Sequence, residues 1–357
     1  MNGWTLGWGQ AACIFATMVG LCGCRRIPAG GAQRDDGVRS STQTAYEVQD
    51  LGSLDQESSF AVAVNNRGVV VGWCYDKEGE SDHPFIWSRG RMSYLGAPHH
   101  GSGAAHGVND SGLAVGALDV GSGGPIGAAV WSQHGLYFLP GLGGKSSWAD
   151  SVNDRDQVVG ASEGPGKRFT HAALWSGGGV CDLGTLGGDR SAAYGINDAG
   201  QVEGTSRLKG DKTHHAFLWL HGKLVDLGTL GGSSSYGWGI DADGEVVGDS
   251  LLPGDHAYHA FRWVRGRMED LGTLGGKNSR AYGVSDDGVV VGQSDTFGNT
   301  ARHACAWFHG KVVDLGTLGG ERSFAMAINA AGLIAGGSNL VVGGKQFHAC
   351  LFVPKKL

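Results

Sequence analysis

The sequence predicts an all-β protein, a closed seven-bladed β-propeller with four antiparallel strands in each blade. Three observations predict this fold: a repeat with a period of 44 residues, an excess of glycine, and two ends of the repeat array that complement each other. Glycine accounts for 66 of the 357 residues and proline for only 8. The residue in excess is therefore the one that readily adopts positive φ in tight turns. Eleven Trp and twelve Phe provide more apolar surface than a disordered chain carries.

The repeat is clearest in the phrase Asp-Leu-Gly-Thr-Leu-Gly-Gly. Its four full copies are 44 residues apart and begin at Asp182, Asp226, Asp270 and Asp314. Weaker copies in the same register begin at Asp50, Tyr94 and Phe138. A glycine column keeps the same period through Gly72, Gly116, Gly160, Gly204, Gly248, Gly292 and Gly336. Units of this length that contain several short strands are typical of propeller blades.

Turn residues divide each unit into four short strands. In the unit that begins at Asp182 we expect strands at 192–197, 201–205, 215–220 and 223–227. The first strand is rich in Ala and Gly, which fits the innermost strand beside a crowded axis. The third strand is apolar on both faces, as expected of a strand that packs between two neighbouring blades.

The two ends of the array predict how the ring closes. The last unit ends after a third strand at 348–353, whereas 46–50 has the fourth-strand pattern and precedes the first complete unit. An N-terminal strand that completes the last blade would remove two unpaired strand edges. The alternatives to a closed propeller are an open β-solenoid and a β-sandwich.

The N-terminal region is unlike the repeat. Residues 11–24 form an uncharged apolar run, which is short for a membrane span and typical of a signal peptide. The run ends in Leu21-Cys22-Gly23-Cys24, which resembles a bacterial lipobox, where the last Cys is acylated. We therefore predict a signal peptide at 1–24 with lipidation of Cys24, a flexible tether at 25–44, and the propeller at 45–357. No Lys or Arg precedes the apolar run, so ordinary secretion and an uncleaved anchor are alternatives.

The repeat also resembles the bacterial extracellular HAF repeats, a family named for its His-Ala-Phe motif. The motif stands at 215–217 and 259–261, together with the Asp-Leu-Gly-Thr-Leu-Gly-Gly phrases and the turn at 195–198. The resemblance extends from Asp50 to Leu357. It implies export to the cell envelope or the medium and a repeat structure, and it implies no defined activity.

Two repeated columns contain residue types that bind metals elsewhere, and we interpret both as structural. One column consists of His83, His171, His215, His259, His303 and His348, on strands midway out in the blades, where side chains do not converge. The other begins each first hairpin and includes Asn65 and Asp241. The turn at 241–244 starts like a calcium loop but lacks the third acidic position and the distant Glu. Asn, Asp and Gly are also what hairpin turns require, so we predict no metal and no cofactor.

The cysteines outside the N-terminal region are predicted to be buried free thiols. They are Cys74, Cys181, Cys305 and Cys350. Cys305 and Cys350 share a column of neighbouring blades, where equivalent Cα atoms are too far apart for the roughly 4.4 to 6.8 Å of a disulfide.

Charge and motifs favour a binding or scaffolding function. The formal net charge is −6 and the basic residues are scattered, which argues against nucleic acid as a partner. No catalytic sequence motif is present. We predict an exported, monomeric, non-catalytic propeller that binds a protein or glycan of the cell envelope and contacts the membrane only through a lipid on Cys24. The alternative is a propeller enzyme, a polysaccharide lyase or glycoside hydrolase, with unlike carboxylate, His or Tyr side chains converging on the axis. A purely structural or decayed array is a third interpretation.

The loops between second and third strands are predicted to form the binding face. These loops differ from blade to blade, whereas the first hairpins are nearly identical. Function tends to lie on variable loops, and aromatic and Arg side chains dominate binding energy. The predicted contact residues are Tyr75, Arg168, Phe169, Tyr258 and Phe297.

Overall fold

The protein is a closed seven-bladed β-propeller. The computed structural model describes residues 46–77, 81–97, 101–119, 124–166, 169–210 and 212–355. These ranges form seven four-stranded antiparallel sheets and contain no α-helix, only the 3-10 turn Phe297–Asn299. Within the same ranges no helix is long and apolar enough to cross a membrane. The predicted signal peptide, Cys24 and the tether lie outside the described residues.

The first strand of each blade lies nearest the axis, and the following strands lie progressively further out. Blade 1 consists of β2 (Ser59–Val64), β3 (Val70–Tyr75), β4 (Asp82–Ser88) and β5 (Arg91–Tyr94). Blade 2 consists of β6 (Gly103–Val108), β7 (Ala114–Asp119), β8 (Ile126–Ser132) and β9 (Gly135–Phe138). Blade 3 consists of β10 (Ser147–Val152), β11 (Val158–Glu163), β12 (Thr170–Ser176) and β13 (Gly179–Gly184). Blade 4 consists of β14 (Gly187–Ile196), β15 (Val202–Leu208), β16 (His214–Leu220) and β17 (Lys223–Asp226).

The remaining blades repeat this order. Blade 5 consists of β18 (Ser235–Ile240), β19 (Val246–Leu251), β20 (Tyr258–Val264) and β21 (Arg267–Asp270). Blade 6 consists of β22 (Gly275–Val284), β23 (Val290–Thr296), β24 (Arg302–Phe308) and β25 (Lys311–Gly316). Blade 7 consists of β26 (Ser323–Ile328), β27 (Ile334–Asn339), β28 (Phe347–Pro354) and, as its outermost strand, β1 (Tyr46–Gly52). The predicted strands of blade 4 are confirmed, although β14 begins earlier because Gly187 pairs with Leu208.

The N-terminal strand closes the ring, as predicted. β1 pairs antiparallel with β28 from Tyr46 opposite Pro354 to Gly52 opposite Ala349. Tyr46 is buried and packs in the same apolar cluster as Phe352. Both ends of the array therefore lie in one sheet, and neither the β28 edge nor the β1 edge that faces it is left unpaired.

A serine at the start of the first strand joins five of the seven blades to the preceding blade through two hydrogen bonds. Ser191 Oγ donates to the carbonyl oxygen of Gly184 at 2.5 Å and accepts the N–H of Ala172 at 2.8 Å. The same pair of bonds recurs at Ser59, Ser235, Ser279 and Ser323. The glycine belongs to Asp-Leu-Gly and the alanine follows the column histidine. The two most repeated motifs of the sequence therefore form one interblade joint.

The histidine column is structural, as predicted. His215 Nδ1 lies 2.7 Å from Asp226 Oδ1. Equivalent pairs join His171 to Asp182, His259 to Asp270, His303 to Asp314, and His348 to Asp50. Blade 2 has Gly127 and Phe138 at the two positions, so both partners are replaced together. In blade 1 only the aspartate is replaced, and the His83 ring lies against the Tyr94 ring with centroids 5.6 Å apart.

The asparagine column forms turns and also links the blades. Asn65 Oδ1 accepts the N–H groups of Arg67 and Val69 at 3.0 and 2.9 Å, which confirms the turn interpretation. Its Nδ2 donates to the carbonyl oxygen of Asn109 in the next blade at 2.8 Å. The bond recurs from Asn109, Asn153 and Asn197, and Asn329 bonds back to Asn65. The described ranges contain no cluster of three or more side chains arranged to hold a metal ion.

The thiol prediction is confirmed for three cysteines and wrong for one. Cys74, Cys305 and Cys350 are free and buried, whereas Cys181 is free and exposed. Cys181 lies on β13, the outermost strand of blade 3, where no further strand covers its side chain.

Deletion of β1 tests the closure. We expect removal of Tyr46 to Gly52 to lower the free energy of unfolding by several kcal/mol, because it uncovers a ladder edge and the apolar surface around Phe352. Thermal melts followed by circular dichroism measure the effect, with a deletion of 25–44 as the control. Equal melting temperatures for the two deletions would contradict the closure.

Candidate functional site

The two ends of the central channel are built from different parts of the repeat. The hairpins that contain Asn65 and its equivalents lie at one end, the hairpin rim. The loops between second and third strands and the connections between blades lie at the other end, the loop rim, because the strands of each sheet are antiparallel and in sequential order. The variable loops therefore surround the loop rim, as the sequence predicts.

Three of the predicted contact residues are packed against other side chains. Tyr75 contacts the Trp73 ring edge to face, with centroids 5.2 Å apart. Phe169 and Tyr258 each lie over a guanidinium group from the first strand of the next blade, at 4.4 Å from Arg190 and from Arg280 respectively. These two aromatic rings are therefore positioned beside the inner strands by cation–π contacts.

The other two predicted contact residues differ in status. The Phe297 side chain is 84 % exposed and lies in the 3-10 turn of blade 6. Arg168 lies outside the described residues.

The blades differ strongly in a column of the inner strands that follows a nearly invariant alanine. It consists of Val62, His106, Asp150, Tyr194, Trp238, Tyr282 and Met326. The neighbouring column is nearly invariant and consists of Ala61, Ala105, Ala149, Ala193, Gly237, Ala281 and Ala325. Polar and aromatic side chains thus occur in blades 2 to 6, and apolar ones in blades 7 and 1. We call His106, Asp150, Tyr194, Glu203 and Trp238 the axial site.

Contacts between blades connect the members of the axial site. His106 Nδ1 lies 2.9 Å from the carbonyl oxygen of Ala149 and 3.3 Å from Asp150 Oδ1. The rings of Tyr194 and Trp238 are 4.8 Å apart between centroids. Trp238 Nε1 donates to Asp249 Oδ1 at 2.6 Å. Each contact joins first strands of adjacent blades or reaches the next strand outward, so the site depends on the closed ring.

Glu203 departs most clearly from the repeat. It is fully buried, and the equivalent residues of the other blades are Val71, Val115, Val159, Val247, Val291 and Ala335. Neither carboxyl oxygen has a hydrogen-bond partner among the described residues. A buried carboxyl group without a partner is costly. We expect such a residue only where it has a role other than stabilising the fold.

A second departure from the repeat, at position 237, leaves space for the Glu203 side chain. Gly237 is the only glycine in its alanine column, and a Cβ at 237 would lie 2.5 Å from Glu203 Oε2. At the six other interfaces the column-203 residue and the column-237 alanine pack in one apolar cluster. The cluster between blades 4 and 5 contains neither Glu203 nor Gly237. Glu203 and Gly237 therefore depart from the repeat as a pair.

The site has unusual electrostatics. Burial raises the pKa of Glu203 well above its ordinary value, and the charge of Asp150 raises it further. Burial also raises the pKa of Asp150, although hydrogen bonds and charge from His106 and a hydrogen bond from Trp148 oppose this. Burial lowers the pKa of His106, but Asp150 outweighs burial and the net shift is upward. The charge of Asp150 thus disfavours ionisation of Glu203, and Asp150 itself lies beside His106.

Two cavities lie outside the axial site. One has a volume of about 270 Å³ beside blade 1 and is lined by Asp55, His83, Pro84, Tyr94, Gly96 and Ala97. Tyr94 stands in the aspartate column and donates to Asp55 at 2.6 Å, so its aromatic ring replaces the aspartate that other blades place beside the column histidine. The other cavity, about 250 Å³, is the channel mouth at the hairpin rim, where the Asn side chains are engaged in the interblade bonds described above.

The sequence prediction missed the axial site, although the sequence contains its signal. Alignment of the seven units in register places Glu203 in a valine column and Gly237 in an alanine column. The contact between the two columns forms only when blades stack, and periodicity alone does not reveal it.

Comparisons with known proteins find similar solved structures only at low sequence identity. No family model and no curated protein matches the chain. A gluconolactonase from Xanthomonas campestris is 12 % identical with a TM-score of 0.45, and the match covers 93 % of this chain and 100 % of that one. The β-propeller domain of the Trilobed protease from Pyrococcus furiosus is 11 % identical with a TM-score of 0.44, covering 73 % and 98 %. The acylaminoacyl peptidase of Pyrococcus horikoshii is 12 % identical with a TM-score of 0.47, covering 78 % and 49 %.

Substitution of Glu203 by the residue of the other blades should stabilise the protein in a pH-dependent way. Above the ordinary Glu pKa of 4.5, the unfolded chain loses a proton that folded Glu203 keeps, so wild-type stability falls as pH rises. The Glu203→Val variant has no carboxyl group at this position, so its stability does not fall with pH for this reason. We expect the variant to be more stable near neutral pH by about 1 to 4 kcal/mol, and the difference to shrink toward pH 4.

Differential scanning calorimetry between pH 4 and 8 measures this prediction. Glu269→Val, on the exposed outermost strand of blade 5, is the matched control and should show no pH-dependent gain. A Glu203→Val variant that is less stable than wild type at every pH would contradict the assignment of Glu203 as an unpartnered acid.

Proposed function

We propose that the protein is an exported, non-catalytic β-propeller that binds a protein or glycan of the cell envelope through its loop rim and axial site. Export is proposed from the apolar N-terminal run that ends at Cys24 and from the resemblance to HAF repeats. The binding role is proposed from the distribution of unlike residues over the seven blades.

The observation that carries the proposal is the contrast between repeated and unique residues. The repeated Ser, His, Asp and Asn side chains are engaged in bonds within and between blades. The unique side chains occur on first strands, on the second strands beside them, as Glu203 and Asp249 do, and in the variable loops. Aromatic rings with a few convergent polar groups in a concave place are typical of ligand sites.

Aromatic side chains of the loop rim extend the same surface outward. Tyr258 lies over Arg280, whose Nε is 3.6 Å from Asp249 Oδ1, and Asp249 accepts the hydrogen bond of Trp238. A chain of contacts thus leads from a predicted contact residue to the axial site. A ligand on the loop rim would meet aromatic rings first and charged groups further in.

An enzyme is the second candidate, and one observation favours it. Unlike carboxylate, His and Tyr side chains from several blades do converge at the axis, which is the condition stated above for a lyase or hydrolase. A general acid must come within about 2.6 to 3.2 Å of the atom that it protonates. The oxygens of Glu203 and Asp150 Oδ2 are covered by protein atoms, and for this reason we place binding before catalysis.

Alanine substitutions at the loop rim test the proposed function. We expect a glycan array and a pull-down from envelope extract to yield a ligand for the propeller, 45–357. Alanine at Tyr75, Arg168, Phe169, Tyr258 and Phe297 should then weaken binding by about 1 kcal/mol or more at two or more positions, because rings and guanidinium groups supply most contact energy.

The control is Val225→Ala, at an exposed position on the outermost strand of blade 4, which should leave affinity unchanged. Loss of binding through Asp198→Ala on the hairpin rim, with the five loop variants unaffected, would place the ligand on the other face. Conversion of a bound glycan to product by the wild type would establish the enzyme interpretation instead.

A further inference from the structure

The cavity beside blade 1 lies where one interaction of the repeat is missing. In five blades the column histidine bonds an aspartate of the outermost strand through Nδ1, at 2.7 to 2.9 Å. Blade 1 has Tyr94 in place of that aspartate. The His83 imidazole makes no hydrogen bond among the described residues, and its Nε2 lies 3.9 Å from Asp76 Oδ2. An imidazole that five blades use within the scaffold can therefore bond a ligand in blade 1.

A carboxylate still lies in this cavity, but it comes from a different part of the chain. Asp55 belongs to the connection that leads into blade 1, at a position where five of the other six connections have glycine. Its Oδ2 accepts the Tyr94 hydroxyl at 2.6 Å, and its Oδ1 has no hydrogen-bond partner among the described residues. The rings of His83 and Tyr94 meet edge to face, with centroids 5.6 Å apart. Direct contacts thus hold a carboxylate, a phenol ring and an imidazole together in the cavity.

We infer that this cavity binds one neutral sugar residue of a glycan, with its hydroxyl groups bonded to Asp55 and His83 and its ring beside Tyr94. The cavity lies at the loop rim, because Asp55, Gly96 and Ala97 belong to connections between blades. The inference therefore rests on the proposed function. It adds the class of ligand and the place on the loop rim where the ligand is recognised.

The groups that would bind the sugar are accessible from solvent. Tyr94 is 44 % exposed, the His83 side chain is 23 % exposed, and Asp55 is half-buried. The cavity volume of about 270 Å³ lies just below the roughly 300 to 1,000 Å³ of sites for drug-sized ligands. The cavity therefore has room for one small ring, and the rest of a glycan would extend over the loop rim.

The lining of the cavity combines polar and apolar groups in the way that a sugar requires. Asp55 and His83 supply hydrogen-bonding groups, whereas Pro84, Ala97 and the Tyr94 ring supply apolar surface. A pyranose ring has an apolar face of C–H groups, and its hydroxyl groups both donate and accept hydrogen bonds. A carboxylate accepts such bonds, and a neutral imidazole donates through one nitrogen and accepts through the other. Each side of the sugar therefore has a matching group in the cavity.

A neutral sugar fits this lining better than an ion does. The described residues contain no cluster of three or more side chains arranged to hold a metal ion. An ammonium group only donates hydrogen bonds, so it would leave the donor nitrogen of His83 without an acceptor. Quaternary ammonium groups are recognised by cages of several aromatic rings, whereas Tyr94 is the only Tyr, Phe or Trp in the lining described here. An anion would be repelled by the charge of Asp55.

Saturation-transfer NMR titrations of the full chain test the inference. The probes are the methyl glycosides of glucose, galactose, mannose and N-acetylglucosamine, with choline as the cationic comparison. We expect at least one glycoside to bind about threefold or more tightly than choline. Tyr94→Asp restores the residue of five other blades, and it should weaken binding of that glycoside about tenfold or more, because it removes the ring and engages His83. Asp55→Asn should weaken it about threefold or more, because the charged acceptor is lost.

The matched control is Tyr137→Asp, the same change at an exposed position on the outermost strand of blade 2, and it should keep the wild-type affinity. Absence of binding by all four glycosides would overturn the inference, and so would choline binding as tightly as the best glycoside. A glycoside whose affinity survives Tyr94→Asp would also overturn it, since the sugar would then bind elsewhere. The pull-down from envelope extract and the five alanine variants decide the proposed function separately.

Discussion

The fold depends on the joint between adjacent blades. A single four-stranded sheet leaves apolar residues on both faces, so each blade is stable only when the next blade covers it. In five blades, a serine at the start of the first strand fixes the stacking by bonding an alanine N–H and a glycine carbonyl of the preceding blade. Because every blade needs a neighbour on both faces, the ring has to close, and β1 with β28 completes the last blade.

This constraint divides the residues into two groups. Residues that form the joints and turns repeat every 44 residues, and their polar groups are engaged in hydrogen bonds within the scaffold. Two departures from the repeat are paired: Gly127 with Phe138 in place of a His–Asp pair, and Glu203 with Gly237 in place of valine and alanine. The first pair contains no ionisable side chain, and Phe138 is exposed. The second introduces an unpartnered acid, and this distinction marks the axial site as the place to look for function.

Much of the fold could be predicted from the sequence because its determinants are local. Turn residues, the alternation of strands and the missing fourth strand of the last unit can all be read along the chain, and they identify the blades and the closure at Tyr46.

The axial site could not be predicted this way. The contact between Glu203 and Gly237, or between His106 and Asp150, depends on how blades stack. The cation–π contacts of Phe169 and Tyr258 also cross from one blade to the next. Cys181 was misjudged for a related reason, since its position at the outer edge follows from strand order.

A double-mutant cycle between Glu203 and Gly237 tests the central claim most directly. The account predicts that Gly237→Ala alone is destabilising, because the new Cβ would lie 2.5 Å from Glu203 Oε2 and 2.9 Å from the carbonyl oxygen of Gly204, so buried atoms would have to move. It also predicts that Glu203→Val with Gly237→Ala, which restores the residues of the other interfaces, is more stable than wild type, with a coupling of about 1 kcal/mol or more. Additive effects of the two substitutions, measured by denaturant unfolding, would show that the two residues do not form one functional departure from the repeat.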